Sequence, residues 1–169
     1  LPTLDSLKKG IESIAKNIVQ SSQAPTLDES YNGPVLVEGQ AACEVFAQVF
    51  IPNLIAQREQ VSEGRFSLGG NDKTSLFQKK IGGRVLPEFL SVKDDPTLTI
   101  YQGAPVLGYC KIDDEGVPAQ TVTLVDKGYL KTLLNNRTPI KRVLESNGHN
   151  RGGTIIISNL VVTSEQSKA

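Results

Sequence analysis

Apolar residues near the start of the chain recur at alternating steps of three and four positions, at Leu4, Leu7, Ile11, Ile14 and Ile18. Most of the residues between them are polar or charged. This spacing is typical of an α-helix with one apolar face, and threonine at position 3 is a residue type that caps helices. The pattern predicts an amphipathic helix from about residue 4 to residue 20. A polar linker is predicted to follow, over residues 21–32.

A different pattern occupies residues 112–138. The Asp113-Asp114-Glu115-Gly116 stretch favours a turn, because short acidic side chains bond to nearby backbone and glycine accepts a positive φ. Polar and apolar residues then alternate over residues 120–125, as in a strand with one buried face. Asp126-Lys127-Gly128 interrupts the run and a second run covers residues 129–134, so the pattern predicts a β-hairpin with Gly128 at positive φ. The acidic turn is interpreted as a solvated loop rather than a metal site.

The remaining residues predict short elements separated by glycine and proline. Residues 38–50 predict a second helix, which Pro52 interrupts and which residues 53–59 could continue. Glycines over residues 62–75 predict a surface loop, residues 94–96 a turn, and residues 139–145 a loop or short helix. Further strands are predicted at 35–37, 81–87, 89–92, 98–101, 154–158 and 159–162. We therefore expect an α+β fold, mainly antiparallel β-sheet, with an amino-terminal amphipathic helix and one helix following the first strand.

Length and composition limit the number of hydrophobic cores, the class of partner and the cellular location that the sequence allows. A chain of 169 residues suits one hydrophobic core. Its 18 basic and 18 acidic residues balance, which argues against nucleic acid or an anionic membrane as a partner. The two cysteines, Cys43 and Cys110, are far apart and are expected to be reduced and buried. Without an apolar run long enough to span a bilayer, we expect a soluble cytoplasmic protein, and a piece of a longer one.

Four stretches together resemble the carboxy-terminal domain of the TldD/PmbA family. They are IDDEGVPAQ from Ile112, TLVDKGYLKTLL from Thr123, RTP from Arg137 and SNGHNRGG from Ser146. A weaker resemblance covers GPVLVEGQAACEVFAQ from Gly33. The family contains metallopeptidases and their partner subunits, once described as modulators of DNA gyrase. The resemblance implies a helix and linker over residues 1–32 and a TldD/PmbA-like domain over residues 33–169.

Zinc-bearing members of this family carry an HExxxH motif on the helix after the GPVL-like strand, where two imidazoles hold the metal and the glutamate acts as general base. Here Phe46-Ala47, or Cys43-Glu44 in a shifted register, stand opposite the His-Glu pair. The chain's single histidine is His149. A different zinc site from Cys43, Glu44 and His149 is disfavoured, because Cys43 is expected in the core and Glu44 in water. No cofactor is expected in this chain, although catalytic family members bind zinc.

The glycine-rich stretch at residues 146–153 is the second candidate site. It is similar to the family's TGNGRR-like loop beside the peptidase cleft, which implies substrate binding by Asn147, Gly148, His149 and Arg151. Glycines let a ligand approach the backbone, and the other side chains offer hydrogen-bond donors. The alternative is a turn-rich connection with exposed polar side chains. His149 is expected to be exposed or hydrogen-bonded rather than catalytic, since neither a nucleophile nor an acidic partner stands at a useful spacing.

The sequence is compatible with three functions. The first is a non-catalytic partner subunit that pairs with a zinc-bearing homologue and helps to form its peptide channel. The second is a peptidase that uses unidentified ligands, and the third is a modulator of DNA gyrase acting through protein contact. The expected partners are a second copy or a zinc-bearing TldD-like homologue, together with a peptide substrate. The strand-like run at 159–162 is expected to leave an unpaired sheet edge, which favours association.

Overall fold

A computed structural model describes residues 2–26, 29–56 and 76–166. The chain divides into two compact units, Leu1–Val37 and Glu38–Ala169. The surface loop predicted at 62–75 and most of the continuation predicted at 53–59 lie outside the described residues. No helix among the described residues is long and apolar enough to cross a membrane.

The first unit contains the predicted amphipathic helix. Helix α1 spans Leu4–Ser22, and Thr3 adopts extended backbone before it. The Thr3 hydroxyl accepts a hydrogen bond from the amide of Ser6 at 3.3 Å, which satisfies one of the free donors at the helix start. The prediction of the helix and of its cap is therefore confirmed. All five side chains of the apolar stripe are exposed, from 49% for Leu7 to 66% for Ile11.

The strand predicted at residues 35–37 does not form. Val35 and Leu36 are exposed and pair with no strand among the described residues. A strand forms only where a neighbouring strand satisfies its backbone groups, whatever the apolar character of its side chains. The helix predicted after them does form, as helix α2 at Gly39–Val45. It continues as one π-helical turn, Phe46–Phe50, and ends in a 3₁₀ turn, Ile51–Asn53. Pro52 lacks an amide proton and so ends the regular hydrogen bonding at this point.

The second unit is built on a four-stranded antiparallel sheet. Its strands in chain order are β1 (Leu90–Asp94), β4 (Val122–Asp126), β5 (Tyr129–Leu130) and β8 (Leu160–Ser164). They lie in the spatial order β5-β4-β1-β8. Two small hairpins lie between the sheet strands in sequence. They are β2 (Ile100–Tyr101) with β3 (Ala104–Pro105), between β1 and β4, and β6 (Asn150–Arg151) with β7 (Thr154–Ile155), between β5 and β8. The α+β class with a mainly antiparallel sheet is confirmed.

The hairpin predicted around Gly128 is also confirmed. Strands β4 and β5 are joined by a two-residue turn in which Lys127 has φ 48° and Gly128 has φ 80°. Positive φ at both positions is what a type I′ turn requires. A β-bulge shifts the β1–β4 register, so that Val92 faces Val125 while Lys93 faces Thr123. The bulge allows the adjacent residues Leu124 and Val125 both to be buried.

Several predicted strands are shorter than the sequence indicated. The second hairpin strand ends at Leu130 rather than at residue 134, and the strand predicted at 154–158 ends at Ile155. Residues 81–87 form a single bridge, between Arg84 and Tyr129, instead of a strand. Asp94, predicted in a turn, is the last residue of β1 and is fully buried. No helix forms over residues 139–145.

The hydrophobic core lies against the inner residues of β1, β4 and β5. Leu133 and Leu134 follow β5 into this core, and Leu54 reaches it from the segment after α2. The backbone joins the two segments directly, because the amide of Leu134 donates to the carbonyl of Leu54 at 2.9 Å and that of Ala56 donates to Leu134 at 2.8 Å. The core is therefore aliphatic and pins the helical segment to the hairpin.

Candidate functional site

The four residues predicted to bind substrate lie in the loop 146–153, at one end of the sheet. His149 is completely buried, Gly148 is buried, and Asn147 and Arg151 are half-buried. Gly148 has φ 77°, and a Cβ atom there would lie 2.5 Å from the carbonyl oxygen of Pro118 and 2.6 Å from the Cα of Ala119. Glycine is therefore required at this position, both by its backbone conformation and by the close approach of a neighbouring segment.

His149 makes its contacts inward. Its Nε2 lies 2.8 Å from Oδ2 of Asp94, a side chain that is also completely buried. Its Nδ1 lies 2.9 Å from the carbonyl oxygen of Asn147 and 3.0 Å from Oδ1 of the same residue. Both ring nitrogens are thus occupied. Of the two expected alternatives, exposed or hydrogen-bonded, the second holds: His149 is buried and both of its ring nitrogens are in hydrogen-bonding contact.

Asn147 ties the loop to the segment that follows β5. Its Oδ1 accepts from the amide of Asn135 at 2.8 Å, and its Nδ2 donates to the carbonyl of Leu133 at 3.0 Å. Its carbonyl also accepts from the amide of Gln120 at 3.2 Å. Polar side chains that satisfy buried backbone groups in this way fix the path of a loop. The side chain of Asn147 therefore shapes the loop from within.

The acidic turn at 113–116 has the predicted conformation but not the predicted environment. Oδ1 of Asp113 accepts from the amides of Glu115 and Val117 at 3.0 Å and 2.9 Å, and Gly116 has φ 76°. Asp113 is only 5% exposed, however, and its Oδ2 accepts from the amide of Asn150 at 3.1 Å. The interpretation of a solvated loop is wrong for Asp113, because this carboxylate holds the turn against the loop 146–153.

Among the four candidate residues, Arg151 has a side-chain nitrogen without a hydrogen-bond partner in the described part of the chain. Its Nη2 donates to the hydroxyl of Ser158 at 2.6 Å. Its Nε is buried without a hydrogen-bond partner among the described residues, and so is Oδ1 of Asn150. Buried polar atoms without partners are uncommon in folded proteins, so each has capacity for a further contact. A ligand or a further segment of chain could satisfy them.

Asp95, which follows Asp94 in the chain, is a third buried carboxylate beside Asp94 and Asp113. Burial by itself raises the pKa of Asp95, but the bonds from the hydroxyl and amide of Thr97, from Thr121 and from Lys93 outweigh burial and hold the pKa below its ordinary value. The shortest of these bonds joins Thr97 Oγ1 to Oδ1 at 2.6 Å. The side chain of Asp95 is consequently held in its ionised form, as an acceptor of hydrogen bonds.

Sequence reasoning missed the residues that hold the loop in place. The sequence predicts a turn at Asp94, and its patterns give no role to Asn135 or Ser158. Asp94 accepts from the amide of Ser158 with both oxygens, at 3.1 Å and 3.0 Å, in addition to His149. One signal was available: Asp94 follows Val92 by two positions, which places a carboxylate on the core side of an otherwise apolar strand. The partners of Asp94, 55 and 64 residues away, leave no such local signal.

Comparison with known proteins gives the family. The family model described as the PmbA/TldA metallopeptidase C-terminal domain matches residues 30–169. The chain belongs to the TldD/PmbA family. A metalloprotease of Methanocaldococcus jannaschii is 38% identical over 81 residues, which is 46% of this chain and 17% of that protein. A TldD homologue of Buchnera aphidicola, named as a metalloprotease, is 32% identical over 90 residues, covering 53% of this chain and 17% of its own length.

Among solved structures, TldE from Thermococcus kodakarensis is similar to this chain with a TM-score of 0.47 and 21% identity. The similarity covers 74% of this chain and 26% of TldE. The matched region spans less than a fifth of each curated relative above. The matched part of this TldD/PmbA domain therefore corresponds to a minor part of the two metalloproteases.

Among the described residues of this TldD/PmbA domain, the side chains do not fit the zinc that the family name implies. In the preferred register of the resemblance Phe46 stands opposite the histidine of HExxxH, and it packs edge-on against Phe50 with ring centroids 5.6 Å apart, while Phe50 packs in the same way against Phe77. In the shifted register Cys43 and Glu44 stand there. Cys43 is exposed, in contrast to the expected buried thiol, and Cys110 is half-buried. Over residues 2–26, 29–56 and 76–166, no three His, Cys, Asp or Glu side chains come together as a metal site would need.

Proposed function

We propose that this chain is part of a cytoplasmic TldD/PmbA subunit that takes part in peptide proteolysis or maturation without holding zinc itself, and that it pairs with a zinc-bearing homologue. The observation that carries the proposal is the aromatic contact between Phe46 and Phe50, on the helix where the preferred register of the resemblance places HExxxH. Phenylalanine offers no ligand atom, whereas a zinc site needs nitrogen, sulfur or oxygen donors from at least three side chains.

The single histidine supports the same proposal. A metal-binding imidazole uses one nitrogen for the metal and commonly donates from the other to a carboxylate or carbonyl. In His149 both nitrogens already lie within 3.0 Å of oxygen atoms, and the ring is completely buried. Metal binding by this ring would require breaking its contact either with Asp94 or with Asn147.

We further propose that Asn147, Gly148, His149 and Arg151 contribute to substrate binding through the shape of their loop. Asn147 and His149 hold the loop from inside, so the surface offered to a peptide is the exposed turn at Gly152 and Gly153 beside Arg151. Extended peptides are often recognised through backbone hydrogen bonds on such rigid supports. In this proposal the loop positions a peptide, and the partner subunit supplies the hydrolytic water.

The test is to produce the full-length protein alone and together with a zinc-bearing TldD-like homologue from the same organism. We expect co-purification, zinc that is bound only when the homologue is present, and peptidase activity that requires the homologue's HExxxH glutamate. Sedimentation of each preparation separates pairing with the homologue from self-association.

Two outcomes would contradict the proposal. The first is one tightly held zinc per chain in the protein produced alone, lost in His149→Ala or Cys43→Ala. The second is peptide hydrolysis by the protein produced alone, which would favour a peptidase with ligands outside the residues described here. A Glu88→Gln variant, altering an exposed carboxylate paired with Arg84, serves as the control for non-specific effects on activity.

A further inference from the structure

A buried histidine and a buried aspartate meet at the end of β1. Nε2 of His149 lies 2.8 Å from Oδ2 of Asp94, and both side chains have zero exposure. The Ser158 amide can only donate, so both oxygens of Asp94 act as acceptors toward it. The ring nitrogen that faces Asp94 must therefore carry a hydrogen.

The other ring nitrogen also faces acceptors alone. Nδ1 of His149 lies 2.9 Å from the carbonyl oxygen of Asn147, and a carbonyl can only accept. The Asn147 amide cannot be turned to offer its NH₂ group, because its Oδ1 accepts from the Asn135 amide and its Nδ2 donates to the Leu133 carbonyl. Nδ1 must therefore carry a hydrogen as well.

From these two contacts we infer that His149 is a buried imidazolium in the folded protein, and that its proton clamps the segment 146–158 onto β1. A neutral ring would leave one bare nitrogen against an oxygen at a fully buried position, which is as unfavourable as any buried polar group without a partner. The clamp joins residues 55 and 64 positions apart in sequence, through His149 and Ser158 to Asp94.

The charged groups around the ring are few. On β1, Asp94 contacts it directly, whereas its neighbours Lys93 and Asp95 pair with each other at 3.4 Å. On the acidic turn, Asp113 binds the amide of Asn150, the residue after His149. On the loop itself, Arg151 binds the Ser158 hydroxyl. Among the residues that the structure describes, the one charge in contact with the ring is thus negative, which favours the imidazolium.

Loss of the proton is expected to open the segment. A folded state that binds a proton which the unfolded chain has released loses stability as pH rises. At neutral pH the clamp is closed. As the ring loses its proton at higher pH, either the contact with Asp94 or the contact with Asn147 becomes unfavourable, and residues 146–158 detach while the β4–β5 hairpin stays paired.

Since the chain has one histidine, selective ¹⁵N-histidine labelling of the full chain gives a spectrum without overlap. We expect two protonated ring nitrogens at neutral pH in the wild type, and one protonated and one bare nitrogen in Asp94→Asn, whose neutral amide no longer favours the imidazolium. A bare nitrogen in the wild type at neutral pH would overturn the inference. That spectrum decides the matter even if Asp94→Asn does not fold.

Hydrogen exchange tests the clamp separately. The amides of Ile156 and Ser158 donate to the His149 carbonyl and to Asp94, and the amides of Lys131 and Leu134 donate within the hairpin and core. Between about pH 6 and about pH 9, we expect exchange at Ile156 and Ser158, corrected for its intrinsic pH dependence, to rise about tenfold or more. No rise, or an equal rise at Lys131 and Leu134, would overturn the local clamp.

Discussion

Replacing Gly128 with alanine perturbs the turn between β4 and β5 in two separable ways. Gly128 has φ 80°, where a Cβ is strained, and a Cβ built there would overlap the carbonyl oxygen of Leu86 and lie 2.9 Å from that of Pro87. The amides of Val85 and Leu86 both donate to the Gly128 carbonyl, so the neighbouring segment cannot move away without losing those bonds.

Gly116 provides the matched control for this substitution. It has φ 76°, close to that of Gly128, but a Cβ there meets nothing within 4 Å. Gly116→Ala therefore carries backbone strain alone, about 1 kcal/mol. Gly128→Ala adds overlap with backbone that is held in place, about 1–3 kcal/mol more. We expect the two variants to differ by about 2 kcal/mol in free energy of unfolding, a large share of the 5–15 kcal/mol typical of a domain.

Urea unfolding measures this difference. The chain has no tryptophan and four tyrosines, so circular dichroism and tyrosine fluorescence are the suitable signals. With a urea dependence of about 1–3 kcal/mol per molar, the midpoint of Gly128→Ala should lie about 1 M below that of Gly116→Ala. Equal midpoints for the two variants would refute the argument that the Leu86–Pro87 backbone confines Gly128.

Three further outcomes are expected. Because the pKa of Asp95 is lowered, its ionised form stabilises the fold at pH values above the ordinary aspartate pKa, and that stabilisation is lost as pH falls through the lowered value. Thr121→Val removes one hydrogen bond to Asp95. Acid unfolding of this variant should therefore begin at higher pH than that of the wild type. Asn159→Ala removes two donated bonds and one accepted bond, and should lower the unfolding free energy by about 1–3 kcal/mol. Asn136 is half-buried and accepts a single bond, from the amide of Thr138, so Asn136→Ala should cost about 1 kcal/mol or less; similar thermal shifts for the two variants would contradict this. Lastly, β8 is an outer strand of the sheet, so sedimentation should detect self-association that Val162→Lys weakens; a strictly monomeric chain would argue against it.

The sequence predicted those parts of the fold that depend on near neighbours. Helix α1 was predicted with its cap, since the apolar period and Thr3 both act within one or two turns. The β4–β5 turn followed from Lys127 and Gly128 because turn geometry is decided by adjacent residues. The family was identified from such local stretches as well, and the match to residues 30–169 confirms it.

Strand ends and buried polar contacts could not be predicted in this way. Val35 and Leu36 are apolar enough for a strand, but a strand exists only when a partner satisfies its backbone, and none does so here among the described residues. Asp94 was assigned to a turn because Asp-Asp-Pro favours one locally, whereas bonds from His149 and Ser158 keep it in β1. His149 could be identified as a candidate, but its burial depended on those distant partners.

The place of β8 in the sheet has a consequence for how the protein is made. Strand β1 pairs with β4 on one side and with β8 on the other, and its partners on β8 lie 66 to 74 residues further along the chain. At a synthesis rate of 5–20 residues per second, the ribosome needs about 3–15 s to deliver β8 after β1 has emerged. During that time the β8-facing side of β1 is unpaired. Pairing over so long a separation is also slow, so the nascent chain is exposed to chaperones, or to aggregation, for seconds before the sheet is complete.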